Sequence, residues 1–261
     1  MADKKTLRTA RVVRTERLSP SMVRVVVGGP DLADMPPLEL TDHYVKLRFD
    51  DVKRTYTIRW FDREALEMAI DFVIHGDEGI AGPWAARAQP GDELHFVGPG
   101  GKWAPRPDAD AHVLVGDESA LPAIAAALDA LPAEAVARVF LEVASAAERQ
   151  ALPVTDRTEV TWIHRDELGT AYGEALTYAV ESCEWPNGDV EAFVHGNADM
   201  IKPLRRHLFR DLGVPKGRVS ISGYWRTGMN EDGWQSSKAE FVAQMEAEQD
   251  GPAGPSDRPA G

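Results

Sequence analysis

Apolar and polar positions alternate with a period of two through the first hundred residues, and the period changes after that. Ala10-Arg11-Val12-Val13 and Met22-Val23-Arg24-Val25-Val26-Val27 read as two strands parted by a Ser19-Pro20-Ser21 turn, the second ending at Gly28-Gly29-Pro30. His43–Phe49, Arg54–Arg59, Leu66–His75 and Glu93–Val97 supply four more short strands. Six short strands parted by turn residues, with no long helix, predict a closed antiparallel barrel. One helical piece interrupts it, where the Gly79-Ile80-Ala81-Gly82-Pro83 run precedes an Ala-rich turn ending at Ala88.

From Ala111 onward apolar runs alternate with helical segments. Strands are predicted at His112–Val115, Val136–Val143, Val160–Ile163, Val190–His195 and Val219–Ile221, and helices at Ala120–Leu131, Ala171–Glu181, Asp199–Leu212 and Glu231–Glu248. Such alternation implies a parallel sheet covered on both faces, whose ligands bind outside the carboxyl ends of its strands. The fold class expected is therefore β followed by α/β: a barrel domain over residues 1–107 and a nucleotide-binding domain over 108–248. The tail 249–261, rich in Pro, Gly and charge, is expected to be disordered.

Charge and cysteine content narrow the chemistry. A net charge of -13 repels phosphates over most of the surface, which argues against a general nucleic-acid or membrane-surface role and confines any anion site to a local basic pocket. The single cysteine, Cys183, excludes an internal disulfide framework and thiolate metal sites. The seven histidines show no ligand spacing, so no resident metal is expected. Met1–Thr6 carries no apolar export segment and no run is long enough to span a bilayer, from which a cytoplasmic protein is expected.

The residues least suited to a barrel strand are Arg54-Thr55-Tyr56-Thr57-Ile58-Arg59. Alternation puts Arg54, Tyr56 and Ile58 on one face and Thr55, Thr57 and Arg59 on the other. A guanidinium fork suits phosphate oxygens and a phenol offers a flat ring, the two ends of a flavin nucleotide. Tyr, Thr and Ile are also ordinary strand formers, so this segment alone does not decide the matter. Free N–H groups at the predicted helix start near Gly79 suit a pyrophosphate; the helix dipole contributes ~0.3–1 kcal/mol against ~1.5–3 for a hydrogen bond to a charged group, so Arg54 is expected to matter more. In the second half the small and polar residues cluster where strands end, at Gly116-Asp117-Glu118-Ser119-Ala120, Ala144-Ser145, His164-Arg165, Gly196-Asn197 and Gly223-Tyr224-Trp225-Arg226, with no dinucleotide or P-loop fingerprint among them.

Together these motifs resemble the siderophore-interacting proteins, flavin-dependent ferric-siderophore reductases of the ferredoxin reductase superfamily. The matching stretches are Arg54–Arg59, Asp71–Gly76 with Gly79–Ala85 and Gln89–Asp92, Gly116–Ile124, and Gly223–Asp232, and the likeness runs from about residue 8 to 242. The resemblance implies FAD held by Arg54, Tyr56, Thr57, Arg59, Asp71, His75, Gly79, Ala81, Gly82, Trp84 and Ala85. It implies NADPH or NADH as donor near Gly116, Asp117, Glu118, Ser119, Ala120 and Asn197. Arg149 and Arg165 follow the second and third parallel strands, where a 2′-phosphate would sit, and read equally well as surface residues. The resemblance also implies an anionic ferric siderophore near Lys46, Arg226 and Lys238. The chain departs from the family pattern within Gly79-Ile80-Ala81-Gly82, where the family usually has Gly-Pro-Ala-Ser, and at Asn197, Thr227 and Met229.

Such proteins pass a hydride's two electrons on to ferric iron one at a time through the flavin, so no side chain is expected to act as acid or base. The implied activity is an NAD(P)H-dependent reduction that releases Fe(II), by a monomer acting on a small-molecule chelate. A reductase serving a protein partner such as a ferredoxin or oxygenase is the alternative; a carrier without redox chemistry is disfavoured by the flavin motif.

Overall fold

The computed structural model describes residues 6–74 and 79–250, the side chains of 248–250 excepted. Strands β1 (Leu7–Ser19), β2 (Met22–Gly28), β3 (Tyr44–Phe49), β4 (Val52–Asp62), β5 (Glu67–Val73) and β6 (Glu93–Gly100) close into an antiparallel barrel in the order β1-β2-β5-β4-β3-β6. Each strand sends alternate residues inward, so Val25 faces Ile70 across one ladder and Leu47 faces Phe96 across another. Val25, Ile70, Leu47, Phe96 and Phe72 are all fully buried in the barrel core. β1 and β4 run well beyond the apolar stretches that predicted them, because their polar ends still pair with neighbouring strands. Helix α1 (Ala81–Arg87) plugs one end of the barrel with Ala81 and Ala85.

The second half is a five-stranded parallel sheet of β7 (Ala111–Asp117), β8 (Ala137–Val143), β9 (Thr158–His164), β10 (Val190–Asn197) and β11 (Val219–Trp225), in the order β11-β10-β7-β8-β9. β7 and β10 are buried at every position, which is why apolar residues dominate their centres without alternating. Helix α2 (Leu121–Ala130) covers one face; α4 (Glu174–Glu181) and α5 (Ala198–Arg206) cover the other. The helix predicted over 171–181 is α4, which starts three residues later because Gly173 stands in left-handed backbone ahead of it; a short α3 (Arg165–Leu168), ending at left-handed Gly169, precedes it. α5 gives way to a π turn at His207–Asp211. The last helix, α6 (Glu231–Asp250), begins where Asn230 Oδ1 accepts the Gly233 N–H at 2.8 Å, and its Trp234 is almost wholly buried.

The chain leaves β7 toward β8 and β9 on one side and returns to β10 and β11 on the other. The carboxyl ends of β7 and β10 therefore flank a switch point, where a crevice is expected to open. That crevice faces the barrel.

Candidate functional site

A cavity of about 640 Å³ lies between barrel strands β3–β5, the carboxyl ends of β7, β10 and β11, and the first turns of α6. This is the size of a drug- or cofactor-binding site. On the barrel side Tyr56 and Thr57 border it. Tyr56 packs on Phe72 with ring centroids 4.4 Å apart, Phe72 on Trp84 at 5.7 Å and Trp84 on Phe49 at 5.6 Å, so an aromatic column backs the phenol. Burial drives the Tyr56 phenol well above its ordinary value, keeping it a neutral donor.

At the switch point Asp117 is fully buried and organises both strand ends. Its Oδ1 accepts from Ser119 N at 2.8 Å and Ser119 Oγ at 2.5 Å; its Oδ2 accepts from Asn197 N at 2.8 Å and the Trp225 indole N–H at 2.9 Å. Burial, and then the neighbouring Glu118, raise the Asp117 pKa against these four donors. Ser119 and Glu118 line the cavity, with Tyr172, whose hydroxyl donates to Glu118 Oε2 at 2.9 Å. The Tyr172 ring meets Trp225 edge-on at 4.9 Å.

The cavity's charged groups differ in how they are partnered. Four carboxylates line it, and every one is engaged. Asp42 accepts the Lys102 and Trp103 N–H groups at 2.8 and 2.9 Å, and Asp71 takes the Arg24 guanidinium in two bonds of 2.7 and 2.9 Å. Glu118 is bound by Arg165 and Tyr172, and Glu231 by Arg54 Nε at 3.3 Å and Thr55 N at 3.2 Å. Three lysines also line it, Lys46, Lys102 and Lys238, and none of them ion-pairs among the described residues. Desolvation, then the charge of Lys102, lower the Lys238 pKa, as expected where two ammonium groups share a confined space without a counterion. Each lining carboxylate has a partner, whereas the three lining ammonium groups have no carboxylate within ion-pair distance among the described residues. An anion entering here would meet positive charge that no carboxylate already holds.

Several residues expected at a ligand lie elsewhere. Arg54 and Tyr56 do not converge on one open surface: Arg54 is drawn to Glu231 and to Asp232, 3.0 Å away, on α6. Arg59 reaches across to Asp129 on α2 at 2.6 Å. Arg226 does not line the cavity; it pairs with Asp199 at 3.0 Å and lies over the Phe241 ring at 5.0 Å. Arg165 is held by Glu118 and, at 3.6 Å, Glu142, so its guanidinium is not open to a phosphate. Arg149 is exposed beside β9, its Nε 2.9 Å from His164 Nε2. Gly79, Ala81, Gly82, Trp84 and Ala85 are in or next to α1 and outside the cavity lining; a side chain at Gly82 would come within 3.0 Å of the Val73 carbonyl, so this glycine permits close packing of α1 on the barrel. Asn197 caps α5 by accepting from Asp199 N at 2.7 Å and donates to Thr227 Oγ1 at 2.8 Å. Gly116 and Ala120 are buried beside the loop that carries Ser119. His75 is outside the described residues.

Lys102, Tyr172, His195, Ser220 and Ser222 line the cavity without having been singled out from the sequence. For the serines a signal existed. Val219-Ser220-Ile221-Ser222 alternates polar and apolar residues on the sheet's edge strand, beside the buried β10, and the serine face borders the cavity. Lys102 offered no comparable pattern.

Comparison with known proteins agrees with this geometry. The siderophore-interacting protein family model matches residues 109–228, and the siderophore-interacting FAD-binding domain model matches residues 11–53 and 50–103. The NADPH-dependent ferric-chelate reductase of Escherichia coli is 30% identical over 243 residues, covering 84% of this chain and 92% of that one. The ferric vibriobactin reductase of Vibrio cholerae is 29% identical over 250 residues, covering 87% and 92%. A crystal structure of a siderophore utilization protein from T. fusca superposes with a TM-score of 0.78 at 39% identity, over 87% of this chain and 95% of that one. The ferredoxin-NADP+ reductase of Plasmodium falciparum, at 13% identity and a TM-score of 0.67 over 84% and 97%, shares the fold alone.

Proposed function

The chain belongs to the siderophore-interacting protein family, and from that premise we propose that it is an FAD-containing, NAD(P)H-dependent reductase of anionic ferric siderophores that releases Fe(II). The observation that carries the reading is the cavity in which Tyr56 and Thr57 share one space with three unpaired lysines while every lining carboxylate is engaged. A ferric chelate with several anionic oxygens supplies the missing counter-charge, and desolvation inside the cavity strengthens each attraction.

FAD fits the residues present: Tyr56 offers a ring backed by Phe72, Thr57 offers a hydroxyl beside it, and the cavity has the room. When bound, FAD accepts a hydride and returns its electrons singly, which is the conversion that ferric iron requires. The chain's own residues bind and orient. Tyr56 and Thr57 would hold the flavin against the barrel wall, and Arg54 would take a phosphate in exchange for the α6 carboxylates. Ser119, with Asp117 fixing its backbone and side chain, would present the nicotinamide from the switch point. Lys46, Lys102 and Lys238 would hold the chelate at the open side, so that donor and acceptor meet the flavin without any side chain moving a proton.

The test is an anaerobic visible spectrum of the FAD-loaded protein, taken before and after NADPH and again after a ferric siderophore with a ferrous trap. Flavin bands that bleach and then return as trapped Fe(II) appears support the reading. Absence of flavin bands even with added FAD sinks it, and bleaching without Fe(II) transfers the role to a protein electron acceptor.

A further inference from the structure

The β10–β11 wall of the cavity carries polar groups that neither the flavin motif nor the loop after β7 supplies. Phe193 and His195 lie across from Ser220 and Ser222 in the parallel ladder. The His195 ring stacks on Phe193 at 3.9 Å and 16°, with Tyr224 at 5.0 Å, so the imidazole is clamped in one orientation. Its Nε2 is 2.9 Å from Ser220 Oγ, whereas its Nδ1 is buried with no partner.

These contacts favour one tautomer of His195. A neutral imidazole has one N–H and one lone pair, and a buried N–H without a partner is rarer and costlier than a buried lone pair without one. The hydrogen therefore belongs on Nε2, where it is donated to Ser220 Oγ. Burial, and then Lys238, push the His195 pKa down to about 3, so the ring stays neutral. With its oxygen engaged as an acceptor, Ser220 keeps its own O–H to donate, and no other described group takes it. Ser220 lines the cavity, as do Lys238 and Lys102.

Building on the reductase reading, we propose that the Ser220 hydroxyl donates a hydrogen bond to an anionic oxygen of the ferric chelate, and that His195 is the positioning residue that holds this hydroxyl in its donating sense. The wall then completes a set made only of donors, two ammonium groups and a hydroxyl. It favours chelates whose periphery presents phenolate or carboxylate oxygens over neutral ones.

The experiment uses the full chain loaded with FAD, with ferric tris-catecholate as substrate and gallium(III) tris-catecholate as the redox-inert probe. Ser220→Ala should raise both KM for the ferric complex and Kd for the gallium complex by about ten-fold, the order for losing one hydrogen bond to a charged group. Flavin content, the rate of bleaching by NADPH, and kcat should not change. His195→Phe keeps a flat ring on Phe193 but removes the donor, and should match Ser220→Ala. The double variant should be no worse than either single variant, since His195 acts through Ser220. His195→Gln, which restores an amide donor, should recover part of the loss. An unchanged KM and Kd in Ser220→Ala, or additive losses in the double variant, overturns the assignment. A wild-type protein that bleaches with NADPH but neither binds the gallium complex nor releases Fe(II) overturns the reductase reading itself, and this assignment with it.

Discussion

Removal of the Asp117 carboxylate tests whether hydrogen bonding or charge organises the switch point. The carboxylate accepts from four donors, and two of them, Asn197 N and the Trp225 indole N–H, converge on Oδ2. Asp117→Ala leaves both unpaired in a site where Asn197 is fully buried. At ~1–3 kcal/mol for each buried group left without a partner, the loss is about 2–6 kcal/mol. Working against this is relief of the charge, which burial and Glu118 disfavour. Asp117→Asn separates the two effects. Its carbonyl oxygen can stay on the Asn197 and Trp225 side while its amide faces Ser119 Oγ, which can turn to accept, so only the Ser119 N–H loses its acceptor. The expected cost is ~1 kcal/mol.

The assay is urea denaturation followed by tryptophan fluorescence, with hydrogen exchange at the Asn197 amide as a local readout. Asp117→Ala should shift the midpoint strongly and expose that amide; Asp117→Asn should do neither to the same degree. The pH dependence adds a check of sign. A carboxyl group whose folded pKa is raised contributes most below its unfolded value and loses that contribution as pH rises through the folded value. The penalty of Asp117→Asn relative to wild type should therefore be smaller at neutral pH than near pH 4. If the asparagine variant is as unstable as the alanine variant, the charge and not the acceptors is what the site requires, and the reasoning fails.

Three further perturbations have defined outcomes. Glu148→Ala should destabilise the protein by ~2 kcal/mol in urea, since Ser19 Oγ at 2.5 Å and Ser21 N at 3.1 Å lose a buried acceptor; burial raises the Glu148 pKa but the bonds from Ser19 and Ser21 outweigh it, so the net value is lowered and the contact should weaken as pH falls below about 4.5. Because the folded His195 pKa is about 3 against 6.5, the unfolded chain takes up the proton first, and stability should fall as pH drops from 6.5 toward 3 with a slope of up to ~1.4 kcal/mol per pH unit; His195→Phe should remove that component, measured by denaturation midpoints across the range. Replacing Glu231 and Asp232 by Gln and Asn frees Arg54 from both carboxylates and should tighten FAD binding several-fold by fluorescence titration, whereas weaker binding would mean that the carboxylates hold Arg54 ready for the cofactor.

Backbone architecture was the most legible part of the sequence, because each strand's burial leaves a period that survives without its partners. Val25, Ile70 and Phe96 announce a barrel wall whichever strand they pair with, and the apolar runs of β7 and β10 announce a sheet covered on both sides. Motif residues were legible as types but not as contacts. Arg54 and Tyr56 do share a strand face, yet Arg54 is drawn away by Glu231 and Asp232, residues 177 and 178 positions distant in the chain, and no local pattern encodes such a pairing. Arg165 and Arg226 were likewise claimed by carboxylates on other elements. Two departures from the family pattern that looked separate, Asn197 and Thr227, prove to be hydrogen-bonded to each other. Lys102 was missed because its significance comes from what it lacks, a counterion, and that shows only once every neighbour is placed.

The same long-range pairs explain how the cavity keeps its width. Among the described residues none of the three apolar clusters draws fully buried members from both the barrel and the sheet, so the halves share little apolar core. Apart from Trp103, which packs on Phe193 with ring centroids 4.6 Å apart, the contacts named between the halves are polar: Ser19 and Ser21 to Glu148, Arg59 to Asp129, and Arg54 with Thr55 to the first turn of α6. Hydrogen bonds and ion pairs impose distances and directions, whereas apolar contact only favours closeness. A nicotinamide, a flavin and a metal chelate must be held within van der Waals reach without collapsing onto one another, and contacts that fix separation suit that need better than a greasy interface. On the proposed reductase reading, Arg59, although outside the cavity lining, would bear on electron transfer. Arg59→Ala should leave FAD content intact yet slow bleaching by NADPH, because the loss of its bond to Asp129 loosens the wall that presents the donor to the flavin. An unchanged bleaching rate would show that the remaining contacts hold the halves in register without it.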